Sequence, residues 1–298
     1  MIRVGLVRGD DHYQNAAAAL ARIAETVSIP DRPVLIKPNF VSVHNQLCAT
    51  NVEAVRATLD FLKSRGVDRF IIGEGPAIGS ADEGFDNYGY RGLRRDYQVT
   101  FLDLNTDRPA KVPAFDDNLG PQWLNVSRTL AESYVVSVCP MKTHNDVVVT
   151  LGLKNVLVGM LNGPSEKRKI HRGSKAINLT LAKMAQHIAP ALTVIDGTEG
   201  MQGDGPVDGV PIASRCAVAA AHPIAADVVG LQVMGFRLEQ VGYLRYAMEL
   251  RGLTLADIEV SGETIDACRM QFRPHQNIAS QLKWQLEGDW RSVFDRVG

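Results

Sequence analysis

Within "CPMKTHNDVVVTLGLKNVLVGML" (139–161), Lys142, Thr143, His144, Asn145, Asp146 and Lys154 sit among valines, leucines and glycines. Buried strands and helices have no need of two lysines and a histidine. An imidazole can move protons near neutral pH, and a lysine in so apolar a run must snorkel out, pair with an acid or meet an anion. His144 is therefore a candidate acid–base group, Lys142 a candidate anion ligand, and Lys154 a candidate for catalysis or cofactor contact. The plainer alternative is a snorkelling Lys154 and a loop charge at Lys142.

A second charged stretch, "GPSEKRKIHRG" (163–173), carries Arg168, His171 and Arg172 between glycines. It is expected to be a basic loop that closes over an anion. Arg168 and Arg172 are candidates to clamp a carboxylate or phosphate, and His171 is the second candidate acid–base group. A third stretch, "DGTEGMQGDGPVDGVP" (196–211), holds Asp196 and Glu199 among glycines, which allow close approach of backbone to a ligand. Its spacing matches neither a calcium loop nor a phosphate-binding loop with Gly-Lys-Ser/Thr. Asp196 and Glu199 remain candidates to hold a metal or to orient a histidine.

These groups must be positioned by the elements around them. "RVGLVRG", "PVLIKPNF" and "RFIIGEG" have the apolar, β-rich profile of short strands. "AAAALARIAETV" and "TNVEAVRATLDFLKSRG" have helical periodicity, the second with Thr50 and Glu53 as an expected capping box. The alternation predicts an α/β fold: a mainly parallel sheet with flanking helices, an antiparallel excursion near 98–127 and a small C-terminal lobe. Ligands of such sheets sit beyond the carboxyl ends of the strands. That places Lys37, Asn39 and Glu74 among the candidate substrate ligands, beside the 142–146 loop that Pro140 is expected to open. Asp227, in "AHPIAADVVGLQVMG", is expected to be buried structural support. The expected division is a domain over 1–236 and a helical lobe or arm over 237–298.

The chain has 298 residues, 45% of them hydrophobic, enough for a large core. Its 32 Lys+Arg against 33 Asp+Glu leave a net charge of -1, which gives no hold on nucleic acid. Cys48, Cys139, Cys216 and Cys268 are scattered, so neither a disulfide framework nor an iron–sulfur run is expected. With no signal-like leader and no membrane-length apolar run, the expectation is a soluble cytoplasmic protein.

"KPNF", "GEG", "CPMKTH…VTLGLKNVLVGML", "IHRG" and "IDGTEGMQGDGP", in that order, resemble the DUF362 family from about Val34 to Gly235. Many of its members look like fusions to a ferredoxin-type module, which implies reductive chemistry and makes a separate ferredoxin a possible partner. A cluster of the chain's own is not expected, since the cysteine run is missing. More distantly, the chain is similar to the nickel-pincer lactate racemase family. That likeness implies a lysine contacting a cofactor between two histidines, and Lys154 follows His144 by ten residues and precedes His171.

The expectation is an enzyme acting on a small carboxylate by acid–base, enolate- or hydride-type chemistry, as an isomerase or reductase. The alternatives are a module that docks an iron–sulfur protein without catalysis, and a phosphate-binding assembly protein. The cofactor is unknown, a metal is possible, and a homo-oligomer is compatible with the sequence.

Overall fold

A computed structural model describes residues 1–297. Twelve strands follow in chain order: β1 (Ile2–Arg8), β2 (Val34–Lys37), β3 (Arg69–Glu74), β4 (Gln98–Asp103), β5 (Pro109–Phe115), β6 (Pro121–Ser127), β7 (Tyr134–His144), β8 (Val148–Thr150), β9 (Leu192–Gln202), β10 (Val210–Ile212), β11 (Cys216–Ala220) and β12 (Ile258–Gly262). Ten of them form one sheet, ordered β12-β1-β11-β9-β7-β2-β3-β4, with β10 paired to β9 and β8 to β7. Pairing is parallel from β9 through β7, β2 and β3 to β4, and antiparallel where β11 joins β9 and β1.

Helices cover both faces. One layer holds α1 (His12–Arg22), α2 (Val52–Lys63) and α3 (Ala81–Asn87). The short α4 (Arg128–Glu132) precedes β7. The second layer holds α5 (Gly152–Gly159), α6 (Gly163–Ile170), α7 (Ser174–His187), α8 (Pro223–Val233) and α9 (Gly242–Arg251). α10 (Ile265–Cys268), α11 (Ile278–Gln281) and α12 (Trp290–Phe294) complete the set. β7 shows why the strands are apolar throughout. Tyr134, Val136 and Val138 enter the core under α1 and α2, while Val135 and Cys139 enter the core under α5 and α8. A central parallel strand is covered on both faces, so alternation disappears from its sequence.

Several expectations change in detail. Pro140 does not end β7, which runs on to His144, where β8 folds back on it through Lys142↔Thr150 and His144↔Val148. The proline faces Asp196 of β9 immediately before a register shift in that ladder, the kind of bulged position at which a strand tolerates proline. The basic stretch after Gly163 is α6, not a loop, because Glu166, Lys167 and Ile170 pack inward while the exposed charges stay outside. The acidic glycine-rich stretch is largely β9 and its hairpin partner β10, so only 203–209 remain a loop. The antiparallel excursion is the β5–β6 hairpin alone; β4 is a parallel edge strand. Helix α2 is capped by Asn51, whose side chain accepts from Glu53 N at 2.9 Å; Thr50 is buried and donates to Val138 O instead. The segment after 236, expected as a helical lobe, also supplies β12, parallel to β1 at the sheet edge. No helix among the described residues is long and apolar enough to cross a membrane.

Candidate functional site

Beyond the carboxyl ends of β2, β3 and β7 lies a cavity of about 570 Å3. Lys37, Asn39, Glu74, His144, Lys154, Arg168 and His171 all line it, as do Asp146, Asn155 and Lys167. β2 delivers Lys37 and Asn39, β3 delivers Glu74, and β7 delivers His144. α5 carries Lys154 and Asn155, α6 carries Lys167 and Arg168, and His171 follows α6 directly.

Two glycines bring α5 this close. A Cβ at Gly152 would lie 2.2 Å from Thr193 Cγ2, so only glycine lets the first turn of α5 settle on β9. A Cβ at Gly159 would lie 2.4 Å from Lys37 Cε, so the end of α5 makes room for that lysine. The N-terminus of α5 is held by Asp227 on α8, which accepts from Gly152 N at 2.8 Å and Leu153 N at 3.0 Å. Burial pushes the Asp227 carboxyl up to about 7. The expected supporting role for Asp227 is thus a helix cap under Lys154.

The floor of the cavity is a buried polar network. Lys37 Nζ donates to Glu74 Oε1, to Pro38 O at 2.7 Å and to Asn155 Oδ1 at 3.3 Å. Asn155 also accepts from Asn39 Nδ2 at 3.0 Å and donates to Ser137 Oγ at 3.0 Å. Lys142 stands one layer behind, fully buried, donating to Asn39 Oδ1 and to Cys48 O at 2.8 Å. It reaches the cavity only through Asn39. Burial pulls its ammonium down to about 8, because neutral oxygens compensate a charge only in part.

Asp146 organises the two histidines in opposite senses. Its backbone N–H donates to His144 Nδ1 at 2.9 Å, so the neutral His144 ring carries its proton on Nε2. Its carboxylate receives the Nδ1–H of His171 at 2.6 Å, so in the neutral ring of His171 the acceptor nitrogen is Nε2. The rings are stacked, 6.0 Å apart between centroids with 18° between their planes. Burial, reinforced by the nearby Lys154 and His171, holds His144 well below its ordinary value, and so neutral. Burial works against the Asp146 charge, but the hydrogen bond from His171 holds the carboxyl below its usual range.

Lys154 is 5% exposed and lines the cavity, and it forms no ion pair among the described residues. Burial pulls its ammonium down to about 7; the attraction of Asp146 opposes this and the repulsion of Lys142 adds to it. At that value it is both proton donor and proton acceptor at neutral pH. Lys167, equally buried, donates to Asn105 Oδ1 and to Leu161 O at 3.2 Å, and burial draws it to about 8.

Three candidates lie elsewhere. Arg172 is exposed and outside the cavity lining. Asp196 and Glu199 line a separate small pocket of about 30 Å3, where Asp196 Oδ2 meets His12 Nδ1 at 2.6 Å and raises that imidazole above its ordinary value. Asp196 does orient a histidine, but one on α1. Among the described residues no three His, Cys, Asp or Glu side chains gather as a cage for a metal ion. Sequence reasoning placed Asp146 and Lys167 in the charged stretches without giving them a role, and it passed over Asn155. The available signals were an acid two residues after His144, an amide beside Lys154, and a lysine one turn into a basic segment with an apolar face.

A family model described as "Domain of unknown function (DUF362)" matches residues 34–232, a span that includes every residue lining the cavity. The thylakoid-associated protein sll1697 of Synechocystis sp. strain PCC 6803 is 29% identical over 188 residues, 61% of this chain and 56% of that protein. The chain therefore spans little more than half the length of that curated relative. Among solved structures, the lactate racemase apoprotein from Thermoanaerobacterium thermosaccharolyticum is similar with a TM-score of 0.51 at 12% identity, over 77% of this chain and 55% of that one. A protein from Thermotoga maritima gives a TM-score of 0.41 at 14% identity, over 83% and 61%. The racemase likeness is one of fold.

Proposed function

Because the chain belongs to the DUF362 family, whose description assigns no activity, the cavity's own chemistry must indicate what it does, and we propose that it binds a small carboxylate and moves a proton at carbon. The observation that carries this is Asp146 setting opposite tautomers on two facing imidazoles. His144 Nε2–H is a fixed donor for a substrate oxygen, and its neutral state suits polarisation rather than proton removal. His171 Nε2 is the base, held in its tautomer by the Asp146 carboxylate. Lys154, close to neutral in its affinity for protons, stabilises negative charge developing on oxygen and can return a proton to carbon. The balance is that of an isomerisation or racemisation: one C–H bond breaks at the carbon beside the carboxylate, one forms, and no electrons are gained or lost overall. The fold shared with the lactate racemase apoprotein is compatible with this reading.

The donor set does not suit a bare metal ion, since no three ligands converge among the described residues. Should the Lys154 amine instead hold a cofactor, its ammonium role would pass to that group, with His171 Nε2 as the imidazole nitrogen that would contact it. Such a group would supply a hydride- or electron-accepting centre that side chains lack. Arg168 and the Lys37–Glu74–Asn155 floor would then bind and orient the substrate.

The test uses a panel of small carboxylic and 2-substituted acids in D2O, followed by proton NMR. Wild-type protein should exchange hydrogen for deuterium beside the carboxylate of the acid that raises its melting temperature most. His171→Gln should slow that exchange by about 100- to 10,000-fold. Acids that bind and stabilise the fold without any exchange would refute proton transfer and leave a ligand-binding module.

A further inference from the structure

Four cationic side chains, Lys37, Lys154, Lys167 and Arg168, line the cavity against two carboxylates, Glu74 and Asp146. Both carboxylates are already engaged, Glu74 with Lys37 and Asp146 with His171. Lys154, Lys167 and Arg168 are left without a counter-charge among the described ion pairs. One substrate carboxylate would answer only the first of them.

The uncompensated charges also belong to different parts of the wall. Lys154 rises from α5 beside the histidines and feels Asp146 and Lys142. Lys167 rises from α6, is anchored on Asn105 and Leu161, and feels Glu74, Lys37 and Asp103. Arg168 follows it, exposed on the same rim. Lys167 is 7% exposed, and both of its hydrogen-bond partners are neutral oxygens. A buried ammonium with only neutral partners is costly unless an anion completes it. The space between the two poles is ample, because about 570 Å3 lies within the range of about 300–1,000 Å3 typical of sites for much larger ligands than a two-carbon acid.

We propose that the cavity takes a dianion: an acid whose reacting carboxylate sits at Lys154 and the histidines, and whose second anionic group, a carboxylate or a phosphate, sits at Lys167 and Arg168. This rests on the reading of the cavity as a carboxylate site and adds the substrate class. The guanidinium of Arg168 supplies paired donors for a planar or tetrahedral anion, and Lys167 supplies a fixed charge beneath it.

Isothermal titration of the whole chain tests it with two matched pairs, butyrate against succinate and glycerate against phosphoglycerate. In at least one pair the dianion should bind about 10- to 100-fold tighter, the worth of one charge-assisted contact. A preference confined to succinate identifies a second carboxylate, and one confined to phosphoglycerate identifies a phosphate. Arg168→Gln, at an exposed position that the fold tolerates, should reduce that ratio to within about threefold of unity, as should Lys167→Met. Equal affinity within both pairs, or a ratio that survives both substitutions, overturns the proposal. The ratios are measured by binding alone, so a protein that shows no deuterium exchange would still support or refute it.

Discussion

Lys154→Met should stabilise the protein while removing its function. In the unfolded chain a lysine keeps its proton up to about pH 10.4. In the folded chain burial brings Lys154 down to about 7. Between those values the unfolded state binds one more proton, so this residue makes stability rise with pH. Each pH unit in that window is worth about 1.4 kcal/mol, which puts the cost of the buried ammonium at about 4 kcal/mol at pH 7. Methionine fills nearly the same volume without the charge, and replacements of this kind recover about 1–4 kcal/mol. Urea unfolding across a pH series is the assay. At pH 7 the variant should be about 2–4 kcal/mol more stable than wild type, and the difference should shrink towards zero by about pH 10. Lys167 is depressed in the same way but is common to both proteins and cancels, whereas the repulsion between Lys142 and Lys154 is lost in the variant and adds to its stability. A variant less stable than wild type at pH 7, or a difference that does not change with pH, would refute the assignment of Lys154 as a buried charge without a partner.

Affinity for a carboxylate should fall by up to about tenfold per pH unit above about pH 7, as Lys154 loses its proton; calorimetric titration should find a flat profile in Lys154→Gln. Gly159→Ala places a Cβ 2.4 Å from Lys37 Cε. It should cost about 1–3 kcal/mol in denaturant unfolding by displacing that lysine from Glu74, and an unchanged midpoint would show the contact to be slack. Asp227→Ala leaves the Gly152 and Leu153 amides buried without their acceptor. The expected loss is about 2 kcal/mol, with increased hydrogen exchange confined to the start of α5.

The parts of the fold legible in the sequence were those written as local periodicity. Uninterrupted β-branched runs and helical stripes announced a parallel sheet between two layers, and the sheet rule then pointed to Lys37, Glu74 and His144. The missed features depend on contacts between distant segments. Pro140 looks like a strand terminator because its missing N–H is visible, but the pairing irregularity that makes the proline harmless is not. The six residues of "SEKRKI" looked like part of a basic loop because charge dominates their composition, although Ile170 and the stem of Lys167 give the segment a buried side. Asp196 reads in the sequence like a strand end, but β9 runs on to Gln202 and lies beside β11 and α1, so its carboxylate meets His12. No spacing rule reveals that the backbone and side chain of one aspartate serve two different histidines.

β7 passes from the hydrophobic centre to His144 with one register shift at Pro140, and β8 pairs with its last three residues. The imidazole that faces the cavity therefore stands at the end of a strand that is buried along its whole length. The same cavity is also lined by Pro164 and Arg168 of α6 and by Pro206 and Val207 of the 203–209 turn, and Arg168 among them is exposed. The wall that carries His144 is thus sheet, and the wall that carries Arg168 is a short helix and a turn, so a substitution at Arg168 or Val207 can alter the lining without touching the sheet.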